Sequence, residues 1–508
     1  MSQTIDIRDA PRLGVQIWAV LSALYVGLLI WATRGQSHFA DGYDGIGFVL
    51  AVQDFDLSRF QPHPPGFPLL VLFSRWLHAI PGVAPALAVA LCSALLLPLG
   101  LAAMSIMLAL TSGRFAAWLF ALLAGPHVLV WGMGTATLSD GAGLGLTLAA
   151  LCSAAGALWA GRAWLAWVSG CLAGCALGVR PQTVVLLALG LITLLAYVVS
   201  QRRALGRPLW VFGASAGFIT LAWLLPLASL VGPGRLVQLC LQHARGHFTD
   251  FGGRALRTAH EPGFTVSRLL ELLHTLAGAL GPLLFLGLVL AGLWLLRHRL
   301  VVSRRVYVPS ALVLAITASY LAYALLAVRV IGDGRHLLPL PIGVAAALAP
   351  LLALAAQGRV HRTLGVLTLC VGALVNARAV FAFRHSPTEG AQLAAALADC
   401  GTPVYGARAA RYVDLRCGSG TAQPAIYLGE VLSDIERRSN PPREVFVTSE
   451  VIASASSQQR LRLQGRFCRA TDVPSILRFD AASLLPRAAG QPKLLPGCVD
   501  LFAYRVLP

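Results

Sequence analysis

Apolar runs close to the ~20 residues that cross a bilayer recur through the first 385 residues. They fall at about 13–33, 84–110, 115–133, 138–160, 163–179, 181–200, 208–231, 272–296, 306–328, 337–356 and 363–383. A soluble core has no use for so many uninterrupted stretches. A bilayer accepts them, because a helix satisfies every backbone N–H and C=O within its own segment. Hydrophobic residues make up 57% of the chain and charged residues 12%, against about 25% charged in a soluble domain. The expected fold is a polytopic α-helical membrane protein with about eleven transmembrane helices.

An odd number of spans puts the termini on opposite sides, and positive charge decides which. One set of short loops holds Arg8 and Arg12, Arg114, Arg162, then Arg202, Arg203 and Arg207. It continues with Arg297, Arg299, Arg304 and Arg305, and ends with Arg359 and Arg362. These loops and the N-terminus are expected in the cytoplasm. The net charge of +18 comes almost wholly from arginine, Lys493 being the single lysine. Such arginines set topology and meet lipid headgroups, so membrane lipids rather than nucleic acid are the expected partners. The Ala/Leu/Arg-rich, lysine-poor usage points to a bacterial source.

The opposite side then receives loop 34–83, loop 232–270, the Arg329–His336 turn and everything after residue 385. Only 22 residues are acidic, yet Asp41, Asp44, Asp54 and Asp56 share the first of these loops. That loop closes on His63-Pro64-Pro65-Gly66, a rigid re-entry into apolar sequence. Ile46–Asp54 and Gly66–His78 within it are expected as short interfacial helices, anchored by Phe73 and Trp76. Loop 232–270 carries Arg235, His243, Arg245, His247, Arg254, Arg257 and His260. So many cations on the outer side run against the charge rule, and a bound anion is one physical reason for them.

Residues 1–385 thus form a transmembrane domain, and 386–508 a small extracytoplasmic α/β domain. Its expected strands are Pro403–Tyr405, Ala425–Leu428, Glu444–Val447 and Val499–Val506, with helices at Glu389–Asp399 and Leu428–Arg438. Cys400, Cys417, Cys468 and Cys498 all fall in this domain. An even number on an oxidising side is what two disulfides require. The other six cysteines lie in or beside apolar segments, as small packing residues do.

Ionisable groups inside spans cost ~2.5–3.5 kcal/mol at the bilayer centre, so the few present need a reason. Asp140 opens a span in Leu138-Ser139-Asp140-Gly141. Arg180 precedes Pro181 between two spans. Arg335 and His336 stand before Leu337-Leu338-Pro339. All fall at outer ends of spans, the face on which the acidic loop opens. Acids, cations and an amphipathic loop on one surface suit chemistry at the lipid–water boundary.

The order of these features is an acidic first outer loop, HPPGFP, a span opening on LSD, a GVRPQT segment and GRHLLPLP before a final outer domain. In that order the chain resembles the integral-membrane GT-C glycosyltransferases, among them protein O-mannosyltransferases and the lipid A aminoarabinose transferase. The resemblance covers the whole chain as architecture. It implies transfer of a sugar from a polyprenyl-phosphate carrier to a glycan, lipid or protein acceptor at the periplasmic face of the bacterial inner membrane.

In that family an acid of the first outer loop acts as catalytic base, or holds acceptor or metal. Asp44 is the first match and Asp41 the second. Gly42-Tyr43 separates the two, where many members carry an adjacent pair, and a divalent metal ion there is left open. A carboxylate that takes the proton of an attacking hydroxyl fits the chemistry, and a leaving lipid phosphate calls for arginine. Arg335, Arg245, Arg254, Arg257 and Arg180 are the candidates. His63, Tyr43, Asp140 and His336 are candidates for holding the acceptor or shaping the loop. The alternative is a transporter or flippase of a lipid-linked precursor, for which inverted repeats and midplane charges would speak.

Overall fold

The computed structural model describes residues 10–32, 42–201, 206–249, 269–281, 304–327, 334–356 and 359–385, with isolated positions between 266 and 287. In the C-terminal part it describes 404–406, 422–424, 434, 437, 444–448, 467–469 and 476–480. The chain divides into two compact units, residues 1–34 with 51–385, and residues 35–50 with 386–508. The division falls after His385, where the composition changes, but a stretch of the acidic loop groups with the C-terminal part.

The helices are α1 (Ala10–Ala32), α2 (Gly42–Gln53), α3 (Pro68–His78), α4 (Pro85–Ser112), α5 (Arg114–Ala124), α6 (Val128–Gly134), α7 (Ser139–Ala160) and α8 (Ala163–Val179). They continue as α9 (Thr183–Ser200), α10 (Gly206–Val231), α11 (Pro233–Thr249), α12 (Leu269–Gly281), α13 (Arg304–Ala327), α14 (Pro339–Ala355) and α15 (Arg359–His385). Among the described residues seven helices are long and apolar enough to cross a membrane, or eight if the bent pair α5 and α6 is one span. The chain is thus a multi-pass helical protein.

One expected span differs in shape. The run 115–133 is two helices, α5 and α6, bent by 76°. Gly125-Pro126 lies at the break. Proline has no N–H to continue the ladder, so the helical hydrogen bonding stops there. His127 then restarts the chain as the N-cap of α6, its Nδ1 accepting from Leu129 N–H at 3.3 Å.

Glycine sets the packing of the central layer. Gly100 of α4 and Gly145 of α7 face each other, so that a Cβ at either would run into the other helix's backbone. Such close approach is how apolar helices gain dispersion contact without a solvent-driven term between them. Ser93 Oγ on α4 donates to Leu138 O at 2.9 Å, so α4 and α7 run parallel. Helix α8 returns antiparallel to α7, with Ser169 Oγ donating to Ala150 O at 2.8 Å. Helix α10 runs parallel to α8 and is tied to it by Trp223 Nε1, which donates to Gly174 O at 3.0 Å. The N-termini of α7 and α9 and the C-termini of α8 and α10 therefore share one end of the bundle.

In the second unit five short strands form one sheet: β1 (Val404–Gly406), β2 (Ala422–Pro424), β3 (Glu444–Thr448), β4 (Phe467–Arg469) and β5 (Ile476–Asp480). The order is β2-β1-β3-β5-β4. β1 pairs in parallel with β2 and with β3, while β5 lies antiparallel to β3 and β4. Strands were expected at β1 and β3. β2 at 422–424 was not expected; there Val404 pairs with Ala422 and Gly406 with Pro424. β4 and β5 were not expected. Val499–Val506, 425–428 and the helix 389–399 lie outside the described residues, as does all of 428–438 but positions 434 and 437.

Candidate functional site

The shared end of the bundle carries a closed ion pair. Asp140 stands in the first turn of α7 and Arg180 at the C-cap of α8, the ends at which a helix dipole favours an anion and a cation respectively. Arg180 Nη2 donates to Asp140 Oδ1 at 2.8 Å, and Nη1 to Oδ2 at 2.9 Å. Nη1 also donates to Ser139 Oγ at 2.7 Å. The Asp140 side chain is 5% exposed and that of Arg180 13%. Gly143 makes room for this: a Cβ there would press on Cβ and Cδ of Arg180. Thr183 Oγ1 donates to Arg180 O at 2.7 Å and holds the turn into α9.

Sequence reasoning named Asp140 and Arg180 separately; the structure joins them. It also adds two tyrosines. Tyr320 and Tyr323 stand one turn apart on α13, ring centroids 5.9 Å from each other. The 3-10 turn Gly334–Leu337 holds Arg335 and His336, both half-buried. Its Leu337 packs with Leu321 and Leu325 of α13 and with Leu272 and Ala279 of α12. Arg335 and His336 are thereby fixed beside the turn of α13 that bears the tyrosines.

The acidic loop is built as a scaffold. Asp54 pairs with Arg59 at 3.1 Å. Asp56 N-caps the 3-10 turn Leu57–Arg59, accepting from Ser58 N–H at 2.8 Å and Ser58 Oγ at 2.6 Å. Burial alone would raise the Asp56 carboxyl, but these bonds and Arg59 hold it below the ordinary value. Asp54 is thus a surface residue and Asp56 a helix-end residue. Phe60 and Phe67 take positive φ, 57° and 45°, on either side of Gly66 at 104°. Only a glycine fits at 66, between Leu57 and Phe55. The buried His63 ring meets Phe67 at 4.7 Å and His243 of α11 at 5.0 Å. Leu57 joins Leu227 and Leu236 in one cluster, which seats the loop on α10 and α11.

Part of loop 232–270 is thus an amphipathic helix, α11. Leu236, Leu239, Cys240 and His243 give it a buried face, and exposed Arg235 and Arg245 stand on the rest. The expected helices α2 and α3 are present, with exposed Trp76 stacked on Phe73 at 5.7 Å. Arg75 of α3 donates to Val52 O at 2.9 Å and Ala51 O at 3.0 Å. It caps the C-terminal end of α2, whose first turn holds Asp44.

Tyr43 lies in α2 and Cys468 in β4. Asp41, Arg254, Arg257, Cys400, Cys417 and Cys498 lie outside the described residues, and with them the disulfide question. Of the six packing cysteines, Cys92 and Cys152 are buried, while Cys370 is exposed. Among the described residues no three His, Cys, Asp or Glu side chains gather as a metal centre requires.

No protein-family model and no curated protein matches the chain. Solved structures do. ArnT from Cupriavidus metallidurans in the apo state matches with a TM-score of 0.55 and 15% identity, over 93% of this chain and 99% of that chain. The fold is that of ArnT. ArnT bound to undecaprenyl phosphate gives a TM-score of 0.51 and 14% identity, over 92% and 98%. The ArnT-like architecture is the one the order of motifs led us to expect.

Within this ArnT-like bundle, Ser139, Tyr320, Tyr323 and Arg75 are what sequence reasoning passed over as site residues. The tyrosines had a signal: i, i+3 spacing puts two hydroxyls on one face of an otherwise apolar span. Arg75 had none, since its acceptors are backbone carbonyls of a helix 23 and 24 residues away.

Proposed function

We propose that this chain transfers a sugar from a polyprenyl-phosphate carrier to an envelope acceptor at the periplasmic face of the bacterial inner membrane. The supporting observation is the end-to-end likeness to ArnT, one of whose structures holds undecaprenyl phosphate. Acids and cations at the ends of helices agree with chemistry at the membrane surface. The N-terminus would be cytoplasmic and residues 386–508 periplasmic, where the acceptor, a glycan, lipid or protein, is met.

In this reading Asp44, or Asp41 beside it in sequence, removes the proton from the acceptor hydroxyl as its oxygen attacks the anomeric carbon. A bond forms from that oxygen to the sugar and the sugar–phosphate C–O bond breaks. The electron pair leaves on the phosphate, and one displacement inverts the centre. Proton removal by a placed carboxylate contributes about 10²–10⁴-fold. The phosphate charge is met by arginine, from Arg335, Arg245, Arg254, Arg257 and Arg180. His63, Tyr43 and His336 shape the loop and the acceptor side.

Among the described residues the broken pair α5 and α6 is the feature that favours a transporter or flippase, since discontinuous helices line many transport sites. The test is incubation of the chain in liposomes with a labelled polyprenyl-phosphate sugar and an envelope extract. The enzyme releases polyprenyl phosphate and labels the acceptor. Movement of intact donor across the bilayer, with no release, would make the chain a transporter.

A further inference from the structure

Helix α11 divides its surface three ways. Leu236, Leu239, Cys240 and His243 turn toward the protein. Val237, Leu241 and Ala244 form a second stripe, and it is exposed, 59% at Val237 and 66% at Leu241. Arg235, Gln238, Gln242 and Arg245 form another, exposed and wholly polar. Steps of three and four residues keep each stripe on one side of the helix. A helix on a water-facing surface needs two sides, one apolar and buried, one polar. An exposed apolar side beside these two calls for a third environment.

The position of α11 says which. Helix α10 is long and apolar enough to cross a membrane, and its outward stripe of Trp210, Phe218, Leu221 and Leu225 is between 52% and 81% exposed. Only Gly232, at φ 88°, separates the end of α10 at Val231 from the start of α11 at Pro233. Helix α11 therefore begins where a membrane span ends, and it stays at that level. Leu236 packs with Leu227 and Leu57. Two turns on, His243 meets His63 and Phe60 of the same re-entry loop, ring centroids 5.0 and 6.4 Å away. Helix α3 has the same division, next to the end of α8, where a Cβ at Gly178 would meet Leu69. Its Leu70, Val71, Ser74 and Leu77 are buried, Leu72 and Trp76 are 62% and 69% exposed, and Arg75 and His78 are its polar side.

We infer that the stripe of Val237, Leu241 and Ala244 sinks into the lipid leaflet at the shared end of the bundle. Helix α11 is then a membrane-surface helix, with protein on one side, hydrocarbon on the second, and water and headgroups on the third. Apolar side chains of this size gain by leaving water, while the arginines beside them keep their charge in it. A second copy of the chain is the poorer occupant, since a stable protein interface buries about 800 Å² on each partner, far more than three side chains offer. Held in the leaflet, α11 keeps His243 against His63 whatever the chain transfers.

The test places the photo-crosslinking residue p-benzoylphenylalanine at Leu241, and separately at Gln238, in the full chain in liposomes of phosphatidylethanolamine and phosphatidylglycerol. Mass spectrometry after illumination is expected to find lipid adducts at 241 in several-fold excess over 238. A chain-to-chain adduct at 241, an adduct to residues 386–508 of the same chain, equal lipid adducts at both positions, or none at all overturns the inference. The paired change Val237→Gln with Leu241→Gln leaves the buried side of α11 intact. Hydrogen exchange of the α11 amides in the same liposomes is expected to rise about tenfold or more, with α7 and α8 exchanging as before. Unchanged exchange in α11 overturns the inference as well.

Discussion

Removing Arg180 should cost more than removing Asp140, and removing both should cost less than the sum. The pair is joined by two charge-assisted bonds of 2.8 and 2.9 Å, with a third from Arg180 to Ser139 at 2.7 Å. Exposed pairs contribute about 0–1 kcal/mol, whereas breaking a buried one costs about 3–5 kcal/mol. Side-chain exposures of 5% and 13% put this pair with the buried ones. Arg180→Ala leaves the carboxylate sealed with only Ser139 beside it, so the loss should lie at about 3 kcal/mol or above. That is about 150-fold in the folding equilibrium. Asp140→Ala leaves a guanidinium that keeps Ser139 and can turn its open edge to water, and should cost less. The double variant leaves no stranded charge, so its loss should fall short of the sum by about 2 kcal/mol. Denaturant titration in detergent, followed by tryptophan emission, measures all three. Additive losses below about 1 kcal/mol each would instead mark the pair as solvent-screened and weak.

Three further outcomes are expected. Gly145→Ala drives a methyl into the Leu96 carbonyl and the Leu97 backbone; it should destabilise the bundle by about 1–3 kcal/mol or more, whereas Gly217→Ala, with nothing near its Cβ, should be neutral in the same melt. Arg75→Leu leaves the Ala51 and Val52 carbonyls without their donor; about 1.5–3 kcal/mol should be lost, and sugar transfer with it, because α2 carries Asp44. The Asp56 carboxyl sits below its ordinary value of 3.8, so the unfolded chain binds the proton more readily. Its stabilising share is present above that value and vanishes as pH falls through the lower folded value. Melting of wild type and Asp56→Asn should therefore differ near neutral pH and converge in acid; a constant difference would contradict the sign.

Much of the bundle was legible because hydrocarbon length is written one segment at a time. The break of α5 and α6 was written too, in Gly125-Pro126, but an apolar run of spanning length hid it. The meeting of Asp140 and Arg180, 40 residues apart, was not legible. It depends on α7 and α8 running antiparallel at a spacing set by Gly143 and its neighbours, which is a tertiary fact. Helix α11 was hidden by its cations: the period Leu236, Leu239 and Cys240, His243 is helical, but the Arg and His residues between made it look like a loop. β5 reads Ile-Leu-Arg-Phe-Asp, an alternation too short to stand out without the partner that fixes its register.

The base in the first outer loop is the point on which the enzymatic reading turns. Single-turnover transfer from a labelled polyprenyl-phosphate sugar, in liposomes with wild type, Asp44→Asn and Asp41→Asn, measures it directly. Asp44→Asn is expected to transfer about 10²–10⁴-fold more slowly, with donor binding retained and a smaller effect at Asp41. Wild-type rates in both variants would contradict it.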